Sequence, residues 1–217
     1  MNIEQARFNM IEQQIRPWNV LDAKVLHLLS VVKREDFVPA AYRGMAFVDM
    51  EVPLPCGERM LAPRVEARML QDLAVQKHEK VLEVGAGSGY MAALLAHRAN
   101  SVVTLELHPE LAELARANLA KAGVTNVEVR HADAAKDTAV DGEFDVIVLS
   151  GSVGAVPAAL LSHLKVGGRL MAIVGDEPIM QATLIQRTSA TATATQHPWD
   201  TEVPRLHNFP ESSSFQF

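Results

Sequence analysis

From Lys80 onward, short apolar runs alternate with amphipathic ones. Lys80–Val84 (KVLEV) is a brief buried-strand pattern that runs straight into glycines, and Tyr90–Arg98 then reads as a helix. Ser101–Glu106 (SVVTLE) is a second strand, and Pro109 suits the first turn of a following helix. Leu111, Leu114, Ala115 and Leu119 fall on one face of that helix, and Gly123 stands where a left-handed cap belongs. Asn126–His131 alternates like a half-buried strand, whereas Phe144–Ser150 (FDVIVLS) is apolar enough for a fully buried one. The pattern predicts a helix over Val156–Lys165, stopped by Gly167-Gly168, and a strand over Arg169–Gly175. Beyond Thr183, two extended stretches predict a hairpin at a sheet edge. Strands alternating with helices imply right-handed crossovers, hence an α/β fold with helices covering a mostly parallel, doubly wound sheet.

Residues 1–79 read differently. Ala6–Ile15, Val20–Val32 and Val65–Leu73 carry helical periodicity. Between them runs VDMEVPLPCGERMLAP, with prolines at 53, 55 and 63, too long and too Pro-rich for a simple connector. We read 1–79 as an N-terminal helical cap with an embedded loop, part of the same domain as the core at 80–217.

Composition narrows the class. The 217 residues are 48% hydrophobic and 21% charged, ordinary values for a globular domain. The chain begins MNIEQARFNM, without the apolar run of a signal peptide, and no stretch approaches about 18 apolar residues. The lone Cys56 can form no intrachain disulfide, so the expectation is a cytoplasmic protein with no membrane contact. The net charge is −6: residues 1–80 balance 11 basic against 11 acidic groups, and 81–217 carry 9 against 15. That balance argues against broad nucleic-acid binding, which needs a basic surface.

The sharpest chemical signal is Val81-Leu82-Glu83-Val84-Gly85-Ala86-Gly87-Ser88-Gly89-Tyr90. Close-set glycines after a strand let the backbone turn tightly against a ligand, and the next helix presents free N–H groups. The dinucleotide fingerprint would need a glycine where Tyr90 stands, and no phosphate-loop Gly-Lys-Ser/Thr is present. Glu83 would repel a pyrophosphate but could accept hydrogen bonds from an amine. Glu106 ends the second strand, 21 positions after Gly85, where a carboxylate can grip both ribose hydroxyls. Asp133 follows the third strand, placed for an adenine amino group. An amine, a ribose and an adenine without phosphate describe S-adenosyl-L-methionine. Asp145, inside FDVIV, reads instead as a structural anchor for a neighbouring loop.

These motifs carry a resemblance. VLEVGAGSGY, LELHPEL, the NVEV…D step, FDVIVLSG and LKVGGRL together resemble a class I S-adenosylmethionine-dependent methyltransferase, whose fold is a Rossmann-like seven-stranded sheet. MIEQQI and VLHLLSVVKREDFVPAAYRGMAFVDMEVPLPCGERMLAP resemble the amino-terminal arm of the protein-L-isoaspartate O-methyltransferase family, with a fainter echo at Val203-Pro204-Arg205-Leu206. The resemblance implies methylation of L-isoaspartyl residues in damaged proteins, a repair reaction in which isoaspartyl-containing peptides or proteins are the partners. It implies cofactor contacts at Glu83, Gly85, Ala86, Gly87, Gly89, Tyr90, Glu106, Leu107, Asp133, Ala134 and Ser150. The family's acceptor loop, G-x-T-I-S-x-P, reads here Gly57-Glu58-Arg59-Met60-Leu61-Ala62-Pro63. Leu61 therefore stands where the family has serine, and Arg59 is the candidate replacement as a planar carboxylate clamp. Two rivals stay open: the same fold with another methyl acceptor, and a cofactor-binding adaptor without turnover.

Other features weigh less. The eight histidines show no metal-ligand spacing, so no metal is expected. Cys56 reads as a small buried hydrophobe, and Trp18, Met50, Met60 and Met69 as core packing.

Overall fold

In the computed structural model, which describes residues 2–136 and 141–211, helix α1 (Ile3–Met10) starts earlier than its periodicity suggests. Asn2 caps it by accepting from the Gln5 amide at 3.2 Å. Its axis continues through a wide turn at Ile11–Ile15 and a tight one at Arg16–Trp18, and ends where Asn19 turns left-handed. Helix α2 (Ala23–Val31) is capped by Asp22. The Pro-rich stretch is a small antiparallel hairpin, β1 (Val52–Pro53) against β2 (Arg59–Met60), not an open loop. Helix α3 (Pro63–Leu73) begins at Pro63, since proline is tolerated where no N–H is required, and it buries Val65, Met69, Leu70 and Leu73.

The core then follows the alternation in the sequence: β3 (Lys80–Val84), α4 (Tyr90–Ala96), β4 (Ser101–Glu106), α5 (Pro109–Lys121) and β5 (Val127–His131). Gly123, with φ +71°, caps α5 as expected. Next come β6 (Phe144–Val153), α6 (Ala158–Ser162), β7 (Leu164–Asp176), β8 (Ile179–Arg187) and β9 (Thr193–Thr201). One seven-stranded sheet has the order β5-β4-β3-β6-β7-β8-β9, parallel from β5 to β7 and closed by the antiparallel β8–β9 hairpin. That hairpin is the predicted edge, although β8 begins four residues before Thr183.

The predicted helix over Val156–Lys165 needs correction. Only Ala158–Ser162 is helical, and Leu164 already pairs with Phe144. Gly167-Gly168 do not stop a helix; they bulge a strand. Gly167 takes φ +85°, and a Cβ on Gly168 would lie 2.8 Å from the Asp145 carbonyl. Asp145 is the anchor the sequence suggested: it accepts from the Lys80 amide at 2.8 Å and holds Lys165 Nζ at 2.9 Å. Burial pushes its carboxyl upward, but these bonds outweigh it and hold it below the usual range.

Two apolar clusters flank the sheet. One gathers α1–α5 over Val81, Val102, Val146 and Met171 and runs from Met10 to Val203. The other, over Leu82, Ile147 and Leu170, is covered by α6 and by Leu206 and Phe209. Within the cap, Arg34 and Glu66 form a buried ion pair, and Arg7 forms another with Glu35. Neither pair carries a signal in the linear pattern.

Candidate active site

The sheet opens where its order reverses. β4 and β6 lie on either side of β3, so the chains leaving their C-termini diverge and leave a crevice. Gly85 and Ala86 donate from the end of β3 to the Leu105 carbonyl, at 2.9 and 3.2 Å. Gly85, Gly87 and Gly89 all take positive φ. At Gly85 a Cβ would press 3.0 Å from Leu206 Cδ2, and at Gly89 it would meet the Ala115 backbone at 3.3 Å. The first glycine therefore clears the crevice, and the last lets α5 approach the start of α4.

Glu106, at the end of β4, accepts from the Gly87 amide at 2.8 Å and the His108 amide at 3.0 Å. Its carboxylate thus fixes the turn and borders the crevice at once. Asp133 follows β5 and accepts from the Ala135 amide at 3.1 Å and Asn208 Nδ2 at 3.1 Å. Burial would raise its carboxyl, but the Ala135, Lys136 and Asn208 bonds outweigh that and hold it low, so it stays a carboxylate. Near Ser150, β6 carries extra residues between its Val148–Met171 and Ser152–Ile173 pairings with β7. The segment after β9 docks there: Ser152 N donates to Pro204 O and Leu206 N donates to Ser152 O, each at 2.8 Å.

The resulting cleft, about 570 Å³, is lined by Gly85, Gly87, Glu106, Leu107, Asp133, Ala134, Ser150 and Arg59 among the residues named from sequence. A smaller pocket of about 270 Å³ lies behind the glycine turn, bordered by Leu61, Glu66, Glu83, Ala86, Tyr90 and again Arg59 and Ser150. Gly89 lines neither. Glu83 is fully buried and accepts hydroxyl bonds from Thr104 at 2.7 Å and Ser150 at 2.8 Å. Burial pushes its carboxyl up to about 8, and Glu66 beneath it is raised by burial to about 7. Arg34 holds this floor: it pairs with Glu66, donates to the Leu61 carbonyl at 2.6 Å and lies 5.1 Å from the Tyr90 ring centre. The Leu61 side chain is buried, while Arg59 is 58% exposed and meets Glu51 only at 3.8 Å.

The sequence missed several residues of this site. Glu58, His108, His207, Leu206 and Phe209 also line the cleft. Glu58 and His108 lie inside the quoted acceptor-loop and LELHPEL motifs, whereas Leu206, His207 and Phe209 had only the Val203–Leu206 echo as a linear signal, because this wall is brought in from beyond β9. Cys56 needs correcting: it is exposed at the hairpin tip with φ +63°, not buried. Met60 and Met69 are core, as expected, but Met50 is exposed and Trp18 stacks under Arg64, 4.3 Å from its guanidinium.

The donor set suits an adenosyl group with an amino-acid tail. Glu106 and Asp133 are acceptors for hydroxyl and amine donors, and Leu107, Leu206 and Phe209 supply an apolar wall.

Comparison with known proteins agrees with this geometry. The sequence profile of the protein-L-isoaspartate(D-aspartate) O-methyltransferase family matches residues 5–200. Among relatives, a protein-L-isoaspartate O-methyltransferase of Koribacter versatilis is 40% identical over 184 residues, covering 85% of this chain and 82% of that protein. One from Methanoculleus marisnigri is 39% identical over 169 residues, covering 78% and 77%. Among solved structures, a Plasmodium falciparum chain assigned as a protein-L-isoaspartate O-methyltransferase, bound to S-adenosyl-L-homocysteine, superposes with a TM-score of 0.81 at 18% identity, covering 95% of this chain and 98% of that one. At that identity the likeness speaks for the fold. Family profile and relatives together show that this chain belongs to the protein-L-isoaspartate O-methyltransferase family.

Proposed function

We propose that the protein transfers the methyl group of S-adenosyl-L-methionine to the free carboxylate of L-isoaspartyl residues in damaged proteins. The observation that carries the reading is a pair of adjoining recesses: the Glu106–Asp133 cleft and the small pocket behind the glycine turn share Arg59 and Ser150 on their walls. When bound, the sulfonium supplies an activated methyl, so that a carboxylate O–CH₃ bond forms as the CH₃–S bond breaks and leaves a neutral thioether. A carboxylate is already nucleophilic at neutral pH, so the chain needs no general base, and its contribution is alignment. Glu106 takes the ribose hydroxyls, Asp133 the adenine amine, and Glu83 the ligand ammonium from behind the turn. Gly85, Ala86, Gly87 and Gly89 give the turn its shape, Leu107 and Ala134 border the ring, and Tyr90 and Ser150 close the floor. Arg59, weakly held by Glu51 and open to solvent, swings onto the acceptor carboxylate in place of the serine that Leu61 replaces.

In this reading residues 1–79 and 80–217 form one domain, since the larger apolar cluster draws on both. No helix among the described residues is long and apolar enough to cross a membrane, and we take the compartment to be cytoplasmic. The test is transfer of radiolabelled methyl to isoaspartyl and matched aspartyl peptides. The expected result is a base-labile ester on the isoaspartyl peptide alone. Cofactor binding without labelling of either peptide would favour the adaptor.

A further inference from the structure

Glu58, His108 and His207 are far apart in sequence, yet their ligand atoms all lie within 4.8 Å of one another. Glu58 Oε1 is 3.1 Å from His108 Nε2 and 2.8 Å from His207 Nε2. Ligands about 2.0–2.1 Å from a tetrahedral ion stand roughly 3.3 Å apart, so these spacings are already near those of a coordination sphere. Each group sits on fixed backbone. Glu58 closes the hairpin turn, with its carbonyl accepting from Leu54 N at 2.8 Å. His108 is the cap residue just before α5, its amide held by Glu106 at 3.0 Å. His207 follows Leu206, whose amide is bound to Ser152. Among the described residues Glu58 forms no ion pair with a lysine or arginine, so its charge is shared only by two imidazoles. All three side chains are partly open to solvent, which leaves an entry path and room for a water ligand.

We propose that Glu58, His108 and His207 bind a divalent transition-metal ion of the zinc class, with water in the fourth position. Two imidazole nitrogens and one carboxylate favour zinc, cobalt or nickel over magnesium or calcium, which prefer all-oxygen shells. The three ligands come from three walls of the cofactor cleft, so the ion would tie the hairpin, the start of α5 and the C-terminal segment together across its mouth. The site stands apart from the methyl-transfer reading, because it can be measured without cofactor or acceptor.

The experiment titrates Co²⁺, as a spectroscopic stand-in, and Zn²⁺ into the full-length, metal-free, untagged protein. The expected result is one equivalent of Co²⁺ with the intense visible absorption of a four- or five-coordinate ion, displaced by Zn²⁺, together with a Zn²⁺-dependent rise in Tm. His207→Ala and Glu58→Gln should each weaken binding by more than the 10–100-fold that loss of an outer-shell partner costs, and should abolish the rise in Tm. His163→Ala, remote from the cluster, should change neither readout. The metal-free Tm of each variant shows that it is folded. Failure of the folded wild type to bind one equivalent, or binding that survives both ligand substitutions, would overturn the proposal.

Discussion

Glu106 and Arg59 border the same cleft but are held in different ways. Glu106 ends a six-residue strand flanked by parallel neighbours, and both its oxygens take backbone amides. Arg59 sits in a two-residue strand, is 58% exposed and, among the described residues, has one loose ion pair. On the cofactor side, side chain and fold are fixed by the same bonds, so a substitution disturbs both. On the acceptor side the hairpin is held from below, by Arg34 on the Leu61 carbonyl and on Glu66. The Arg59 side chain can therefore change while the backbone that carries it stays in place. The exposed Arg59 is free to vary, whereas Leu61 is buried in the core, so its departure from the family's serine also changes packing beneath the hairpin.

The largest expected effect strikes that hidden support. Arg34→Ala leaves Glu66 buried without its cation and should cost about 3–5 kcal/mol of stability by urea denaturation. Replacing the pair together, Arg34→Met with Glu66→Leu, should recover most of the loss, because two buried charges are then removed instead of one. A single variant as stable as wild type would mean that the hairpin is held by something other than this pair.

Next comes the cofactor side. Glu106→Ala removes charge-assisted bonds to the ligand and leaves two amides without their acceptor. It should weaken S-adenosyl-L-homocysteine binding by about 1.5–3 kcal/mol in calorimetry. A loss as large for Arg59→Ala would erase the contrast between the two sides. Arg59→Ala should instead lower kcat/KM for an isoaspartyl peptide roughly tenfold, about 1.4 kcal/mol, and leave cofactor affinity within about twofold. Leu61→Ser, which restores the hydroxyl of the family pattern, should raise the same quantity. If neither variant moves it, the acceptor binds away from the hairpin.

How much of this was legible in sequence follows the same division. The glycine turn, Glu106 and Asp133 are each set by a strand end, and strand ends announce themselves through apolar runs and glycines. Gly167-Gly168 misled, because a glycine pair after a helical pattern looks the same whether it ends a helix or bulges a strand. Here it does the latter, since the Asp145 carbonyl packs against Gly168. The cleft's third wall was marked only by the faint Val203–Leu206 echo: Leu206 and His207 are brought to the site by the β8–β9 hairpin, and no local pattern encodes where that return ends. The Arg34–Glu66 pair stands 32 residues apart, and a buried charge reads in sequence like any solvated one.

The smallest effect is the one that tests Glu83. In the cofactor-free protein burial raises its carboxyl to about 8, against the hydrogen bonds of Thr104 and Ser150, so at pH 6 it holds a proton. Its ordinary value is 4.5, so between about 4.5 and 8 the unfolded chain has released a proton that the folded one keeps. Glu83 thus stabilises the fold at the acid end of that window, and its contribution falls as pH rises through it. A ligand ammonium set against Glu83 favours the carboxylate, so binding must expel the proton. Affinity for S-adenosyl-L-homocysteine should then climb from pH 6 toward pH 8, by no more than tenfold per pH unit, and calorimetry in buffers of different ionisation enthalpy should register the released proton. Glu83→Gln has no proton to release and should give a flatter profile. The same variant should lose less stability than wild type between pH 5 and 8. If the two proteins share one binding profile while their stabilities diverge, Glu83 is a group of the core that the ligand never meets, and the amine must be held from the Arg59 side of the turn.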